Sequence, residues 1–305
     1  MKKDFLSILD LSAEEAKELL EFSLKVKKGK IKDRLLEDKV IALIFEKPSL
    51  RTRVTFERAV YDLGGKPIYL SNTDIKLGQR ESVKDVSRNL EKWVDGIVAR
   101  VFSHSTLIEM SQNVRIPVIN ALSDLEHPCQ IIGDYLTILE KSGNTKVNLS
   151  FIGDGNNVAN SLMLMTALLG GKFTIACPEG FEPDKNLFNS ALEISKKTGA
   201  NVQIVRDPKD AVKDADFIYT DVWASMGQEQ EAEKRKQVFK NYKVDFELLK
   251  YAPSHVSILH CLPAHRGEEI TDEVLDGPHS IVLDQAENRL HSEKAIIIKL
   301  FRNMY

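Results

Sequence analysis

Lys47-Pro48-Ser49-Leu50-Arg51-Thr52-Arg53 separates two stretches of different periodicity. Before it, Val40-Ile41-Ala42-Leu43-Ile44-Phe45 is an unbroken apolar run with the length of a buried strand. After it, Val54-Thr55-Phe56-Glu57-Arg58-Ala59-Val60-Tyr61-Asp62-Leu63 repeats its apolar residues with helical spacing. A strand running into a helix through a short loop is the building block of a parallel α/β sheet. Two hydroxyls and two guanidiniums stand at this junction. Backbone N–H groups at a helix N-terminus attract anions. Ser49 and Thr52 add short donors, and Arg51 adds a planar fork matched to phosphate. Cations here oppose the helix dipole, so Arg51 and Arg53 cost stability unless an anion is present. A local rule broken at one spot points to function. The purely structural alternative is a serine N-cap followed by exposed arginines.

The same alternation continues on both sides. Ser12-Ala13-Glu14-Glu15 is a capping box opening a helix that ends near Gly29. Strands are expected at 40–45, 67–70, 96–101 and 117–121, with helices at 51–63, 81–94, 106–114 and 128–140. The polar stretch Lys141-Ser142-Gly143-Asn144-Thr145 marks a domain boundary. A second series follows, with strands at 147–152, 173–176, 202–205, 217–220, 257–259 and 280–283. Its helices are expected at 157–169, 186–198, 209–213 and 244–251, and an amphipathic helix at 293–301 ends the chain. The highly charged segment 227–242 reads as a mobile excursion. The predicted fold class is α/β: two parallel-sheet β/α domains, with ligands bound in the cleft beyond the carboxyl ends of the strands.

Composition sets limits on partners and chemistry. With 305 residues, 43% of them hydrophobic, the chain can build one large or two medium cores. A net charge of −3 favours neither nucleic acid nor an acidic membrane surface. No apolar run approaches the roughly 20 residues needed to span a bilayer, and the start Met1-Lys2-Lys3-Asp4-Phe5 lacks a signal-peptide core. Cys129, Cys177 and Cys261 form neither a disulfide framework nor a CxxC pair. A cytoplasmic protein is expected.

Unusual residues gather where strands end. Arg100 lies inside the apolar strand Ile97-Val98-Ala99-Arg100-Val101, and a buried arginine needs an anion or an internal salt bridge. His127-Pro128-Cys129-Gln130 opens a helix, with proline at its first position; His127 is either a cap or a functional group facing the same sheet end as Ser49. Gly153-Asp154-Gly155-Asn156-Asn157 lacks the third glycine of a dinucleotide fingerprint and reads as a tight turn presenting amides, mainly Asn157. That disfavours a nicotinamide dehydrogenase. Asp221 follows the strand at 217–220, either as a turn residue or as an amine partner, and Ser225 nearby can hold a polar end. His260-Cys261-Leu262-Pro263-Ala264-His265-Arg266-Gly267 fits no common zinc spacing, and Glu287-Asn288-Arg289 is placed in the last loop before the C-terminal helix.

In order and over nearly the whole chain, these stretches resemble the aspartate/ornithine carbamoyltransferase family. Asp221 with Ser225-Met226-Gly227, and His260-Cys261-Leu262-Pro263, resemble its ornithine branch. The resemblance implies a carbamoyl-phosphate-binding domain at 1–142, rejoined by 286–305 as a C-terminal helix packing back on it, and an ornithine-binding domain at 143–285. It implies that Ser49, Leu50, Arg51 and Thr52 hold the phosphate, while Arg100, His127, Pro128, Cys129 and Gln130 hold the carbamoyl end. Asn157, Asp221, Ser225 and Met226 would hold the α-amino and α-carboxylate groups of ornithine; Cys261, Leu262 and Arg289 would sit at the reacting centre. Arg51, Arg100, His127, Gln130, Asp221 and Cys261 are the implied catalytic set.

Two departures stand out. Leu50 replaces the family's usual threonine, and Lys76 stands where many bacterial members carry glutamine. That position is expected to reach the phosphate from a neighbouring subunit of a homotrimer or a multiple of trimers. The implied reaction needs no metal and no cofactor. The neutral δ-amine of L-ornithine attacks carbamoyl phosphate, giving citrulline and phosphate. The rival readings are a relative acting on putrescine or acetylornithine and a non-catalytic binding protein.

Overall fold

The computed structural model describes residues 2–31, 34–224 and 231–302. The chain divides into two compact units, residues 1–136 with 287–305, and residues 137–286.

The first unit carries a four-stranded parallel sheet in the order β2-β1-β3-β4, made of β1 (Val40–Phe45), β2 (Lys66–Ser71), β3 (Gly96–Arg100) and β4 (Val118–Leu122). Its helices are α1 (Ala13–Lys27), α2 (Leu50–Asp62), the one-turn α3 (Asn72–Ile75), α4 (Val83–Leu90) and α5 (His104–Asn113). α6 (Pro128–Ser142) begins here and runs on into the second unit. β1 lies between β2 and β3, and its consecutive residues, which point to opposite faces of the sheet, are buried from Ile41 to Phe45, as an unbroken apolar run requires. Ala42, Ile44, Ile97, Ala99 and Val118 of the sheet pack with Val86 and Leu90 of α4 and Leu107 and Met110 of α5. Between Ala99 and Arg100 the register against β4 shifts, and Arg100 pairs with Leu122. Such a bulge re-aims the side chain at the end of a strand.

The second unit carries a five-stranded parallel sheet in the order β7-β6-β5-β8-β9. The strands are β5 (Asn148–Ile152), β6 (Lys172–Ala176), β7 (Asn201–Val205), β8 (Phe217–Thr220) and β9 (Ser257–His260). α7 (Asn157–Leu169) is buried all round and packs with β6 and with α8 (Lys185–Thr198). The short helices α9 (Pro208–Val212), α10 (Ala232–Phe239), α11 (Phe246–Leu249) and α12 (Asp272–Leu275) follow. α13 (Val282–Arg302) ends the chain, and from Glu287 onward it belongs to the first unit.

Two expectations are corrected. The strand at 280–283 is a single bridge, Ile258 to Ser280, after which α13 begins at Val282. The short run Ile281-Val282-Leu283 suits strand or helix equally. The long-range pattern decides: Val282, Gln285, Asn288, Arg289 and Ser292 are buried at helical spacing, while Leu283 is 77% exposed. Glu287-Asn288-Arg289 therefore lies inside a helix, not in a loop before one. The segment 227–242 is not a wholly mobile excursion. From Ala232 it forms α10, whose Phe239 is fully buried among Ile218, Trp223, Tyr242 and Ile258. Residues 227–230 lie outside the described residues.

Candidate active site

In the first unit the phosphate loop begins with helix capping. Ser49 is the N-cap of α2, and its hydroxyl oxygen accepts from the Thr52 N–H (3.3 Å). The Ser49 hydroxyl in turn donates to Thr52 Oγ1 (3.0 Å). The structural alternative for Ser49 is thus fulfilled, and it also orders the residues proposed for function. Arg289 Nη2 donates to the same Thr52 oxygen (2.8 Å). With both lone pairs of Thr52 Oγ1 engaged, its proton remains to be donated to another oxygen. Arg53 is drawn away from this cluster: it pairs with Glu57 (2.9 Å) and its guanidinium lies 3.7 Å from the Tyr69 ring centre. The Leu50 side chain is 74% exposed, so only its backbone can serve the loop.

Arg289 reaches Thr52 because α13 comes close to α6. A Cβ on Gly133 would stand 3.3 Å from the Arg289 nitrogen and from Ser292 Oγ. His127, the residue before α6, is buried. Desolvation first, then the Arg289 and Arg100 charges, hold its imidazole well below its ordinary pKa. His127 is therefore neutral at physiological pH and acts as a hydrogen-bonding group without adding charge. Its loop is fixed from the N-terminal segment, where buried Glu126 accepts from the Ser7 hydroxyl and from the Ile8 N–H (3.1 Å). One turn on, Gln130 Nε2 donates to Asp134 (2.7 Å). Because a carboxylate only accepts, this fixes the amide's orientation and leaves Gln130 Oε1, which has no partner among the described residues, as an acceptor. Burial pushes the Cys129 thiol well above its ordinary pKa, so this sulfur stays protonated and inert. Pro128 opens α6, as its sequence position predicts.

Lys76 is exposed with a left-handed backbone (φ 42°) at the end of α3. The Arg80 side chain is exposed as well.

In the second unit the strand order reverses around β5, which has β6 on one side and β8 on the other. Ligands of open α/β sheets bind at such a switch point. Here the turn after β5 meets the end of β8. Asn156 caps α7 through Oδ1, accepting from the Val158 and Ala159 N–H groups, and its Nδ2 donates to Asp221 Oδ2 (2.8 Å). Asp221 Oδ1 accepts from the Val222 N–H (2.9 Å) and from Cys261 Sγ (3.1 Å). Asp221 is thus a buried carboxylate held by three neutral donors. Gly155 is required for the turn, since a Cβ there would lie 2.2 Å from the Pro183 nitrogen. Asn157 stands at the first position of α7. Ser225 and Met226 lie outside the described residues.

The loop after β9 is held by His260. Its Nδ1 accepts from the Leu262 N–H (2.9 Å), and Nε2 lies 3.1 Å from Glu269 Oε1. Asp221, His260 and Cys261 bring donor atoms within 4.8 Å of one another, as a metal site would. Both ring nitrogens of His260 are already committed, which leaves no lone pair there for a cation. Leu262 adopts φ 56° and precedes a cis proline.

Sequence reasoning missed three groups here. Asn156 adjoins the predicted Asn157, and its capping position was the available signal. Arg235 and Asp154 are a buried pair at 2.7 Å, with Arg235 also donating to the Trp223 carbonyl (2.8 Å). Arg235 sits in a run of charges, and no local pattern marks it. The third is Glu293, one turn beyond Arg289 and fully buried.

Two family profiles cover the chain. "Aspartate/ornithine carbamoyltransferase, carbamoyl-P binding domain" matches residues 3–140, and "Aspartate/ornithine carbamoyltransferase, Asp/Orn binding domain" matches residues 145–300. The chain belongs to the aspartate/ornithine carbamoyltransferase family. Among its relatives in that family, an Archaeoglobus fulgidus protein named ornithine carbamoyltransferase is 52% identical over 303 residues, covering 98% of this chain and 97% of the relative. The solved structure of the ornithine carbamoyltransferase from Pyrococcus furiosus is 48% identical, with a TM-score of 0.93 over 96% of this chain and 95% of that one. The anabolic ornithine carbamoyltransferase from Campylobacter jejuni superposes with a TM-score of 0.95 at 39% identity, over 100% of both chains.

Proposed function

We infer that the protein transfers the carbamoyl group of carbamoyl phosphate to the δ-amine of L-ornithine, releasing L-citrulline and phosphate, and that it serves arginine biosynthesis. The observation that carries this reading is the match, over nearly the full length of both units, to proteins named ornithine carbamoyltransferase. The chemistry of residue 221 agrees. A buried carboxylate favours an amino group and repels a dicarboxylate such as aspartate.

In this reading residues 1–142 with 286–305 serve carbamoyl phosphate and residues 143–285 serve ornithine. Ser49, Thr52, Arg51 and the backbone of Leu50 take the phosphate. Arg100, His127 and the Thr52 proton stabilise the negative oxygen that develops as the amine attacks. In support, Thr52 has only its proton left to give, and His127 is kept neutral by its surroundings. Gln130 Oε1 and the Leu262 carbonyl accept from the carbamoyl NH₂. Arg289 bridges the phosphate loop and the carbamoyl end. Asp221, Cys261 and Asn157 orient ornithine, together with Ser225 and Met226. Holding both substrates in register supplies much of the acceleration. A cytoplasmic homotrimer, or a multiple of trimers, belongs to the same proposal. Lys76 would reach the phosphate of a neighbouring subunit, and its exposed side chain is consistent with that.

A colorimetric citrulline assay tests the reading. Carbamoyl phosphate is supplied with L-ornithine, putrescine or N-acetylornithine in parallel. Turnover with ornithine at a kcat/KM well above the other two is expected. Preference for putrescine or acetylornithine would replace the substrate assignment, and no turnover with any amine would leave a binding protein.

A further inference from the structure

Glu293 is a charged side chain with no role in the mechanism above, and its surroundings are unusual. It lies on α13 one turn after Arg289, and its side chain is 0% exposed. Its Oε1 is 3.3 Å from Arg289 Nη2, the same nitrogen that donates to Thr52. Its Oε2 has no partner among the described residues, nor has Arg289 Nε. A buried carboxylate normally needs full hydrogen bonding to stay charged. This one shares a single guanidinium with a threonine of the phosphate loop.

We propose that Glu293 is a positioning residue for carbamoyl phosphate: in the free protein it holds the Arg289 guanidinium beside Thr52, and it takes up one proton from solvent when the substrate dianion binds. The proposal rests on the reading that Thr52 and Arg289 contact carbamoyl phosphate. A dianion at Thr52 draws the same guanidinium toward itself and repels the carboxylate. Both effects raise the cost of keeping Glu293 charged, and a proton from solvent on Oε2 relieves them. The proton's acceptor is thus an oxygen that has no other partner.

Few other groups can take this role. On its own helix, Lys294 is engaged with Asp62 of α2, Asn288 accepts from Lys27 of α1 (2.8 Å), and His291, held below its ordinary pKa first by burial, lies 3.6 Å from Glu287. From α6 comes the Cys129 thiol, which burial together with Glu293 itself keeps protonated. From α2 come Thr52 and Thr55, hydroxyls that do not titrate here, and Arg51 at the loop. Arg100 and the neutral His127 stand beside Arg289. Burial pushes the Glu293 carboxyl up to about 7, with the Arg289 charge pulling the other way. The group is therefore poised in the free protein to change charge within the physiological range.

The test is calorimetry of phosphonoacetamide, the stable methylene analogue of carbamoyl phosphate, binding to the full-length protein. It is run near pH 8 in two phosphate-free buffers of different ionisation enthalpy, where the analogue is a dianion and a carboxyl titrating near 7 is about nine-tenths ionised. Wild type should take up close to one proton per chain, and Glu293→Gln, which keeps an acceptor for Arg289 but cannot titrate, close to none. In steady-state assays the wild-type KM for carbamoyl phosphate should climb above about pH 7 by up to tenfold per pH unit, and the variant's should stay flat. Binding by wild type without proton uptake, or equal uptake by the variant, would overturn the role of Glu293 and leave the function intact. Absence of any binding by wild type would overturn the phosphate-site reading and the proposal with it. If the variant does not fold, the wild-type proton count alone decides.

Discussion

The two units present opposite solutions to holding a charged substrate. In the first, cations gather in a buried setting: Arg100 and Arg289 are both under one-tenth exposed, and their charges add to the desolvation that lowers the pKa of His127. In the second, a single carboxylate, Asp221, is held by the amide of Asn156, a backbone N–H and a thiol, without a formal cation among those donors. The contrast matches the ligands proposed for each. A phosphate dianion needs several positive charges, which must be kept apart from one another by packing and by a buried counter-charge. An amine needs one negative charge, and neutral donors can orient it without cancelling it.

The largest expected effect breaks the cationic half. Arg51→Ala should lower kcat/KM for carbamoyl phosphate on the order of 10³-fold while the far-UV circular dichroism and melting temperature stay near wild type. Arg51 lies at a helix N-terminus where its charge is unfavourable, so its removal spares the fold. Unchanged kinetics would remove the phosphate site from this loop.

A smaller effect probes the counter-charge. The folded state raises the Glu293 carboxyl from 4.5 to about 7, so it binds this proton more tightly than the unfolded chain does. That stability is fully present below about pH 4.5 and is lost as pH rises through 7, amounting to about 3 kcal/mol. In urea titrations without substrate, Glu293→Gln should lack this component, so that it gains on wild type as pH rises from 5 to 8. Parallel profiles for the two proteins would show that the carboxyl is not buried uncompensated.

The anionic half is tested next. Asp221→Asn should raise the ornithine KM roughly 30-fold and leave the carbamoyl phosphate Kd within a few-fold. Equal damage to both ligands, measured by titration, would mean that Asp221 is a structural turn residue. The smallest effect concerns the exposed cation at the edge of the first unit: Lys76→Gln should raise the carbamoyl phosphate KM about threefold, in a salt-dependent way. A salt-independent change would point to the backbone turn at α3 instead.

The sequence made much of this legible. The apolar run at 40–45 became β1, and the serine after it became the cap of α2. Asn157–Leu169 is the helix its apolar pattern predicts. These features are local: strand runs, caps and helical periods are written in neighbouring residues. The motifs at strand ends could also be read, because in a parallel sheet every strand's carboxyl end faces the same way, so residues distant in sequence gather without any tertiary detail.

What tertiary structure alone decided is the pairing of those residues. On sequence alone the three apolar residues Ile281-Val282-Leu283 suit a strand, which leaves Arg289 in a loop; only the burial of one face along α13 shows the helix that carries Arg289 to Thr52. Arg235 looked like one charge in a solvated run, yet it is buried against Asp154, on a turn some eighty residues earlier. The neutrality of His127 and the midpoint of Glu293 depend on burial and on charges contributed by other segments. Hydrogen-bond geometry and desolvation act over a few ångströms of space and are indifferent to separation along the chain. The sequence by itself determined which residue types stood at the strand ends, while packing decided which of them met and in what state of charge.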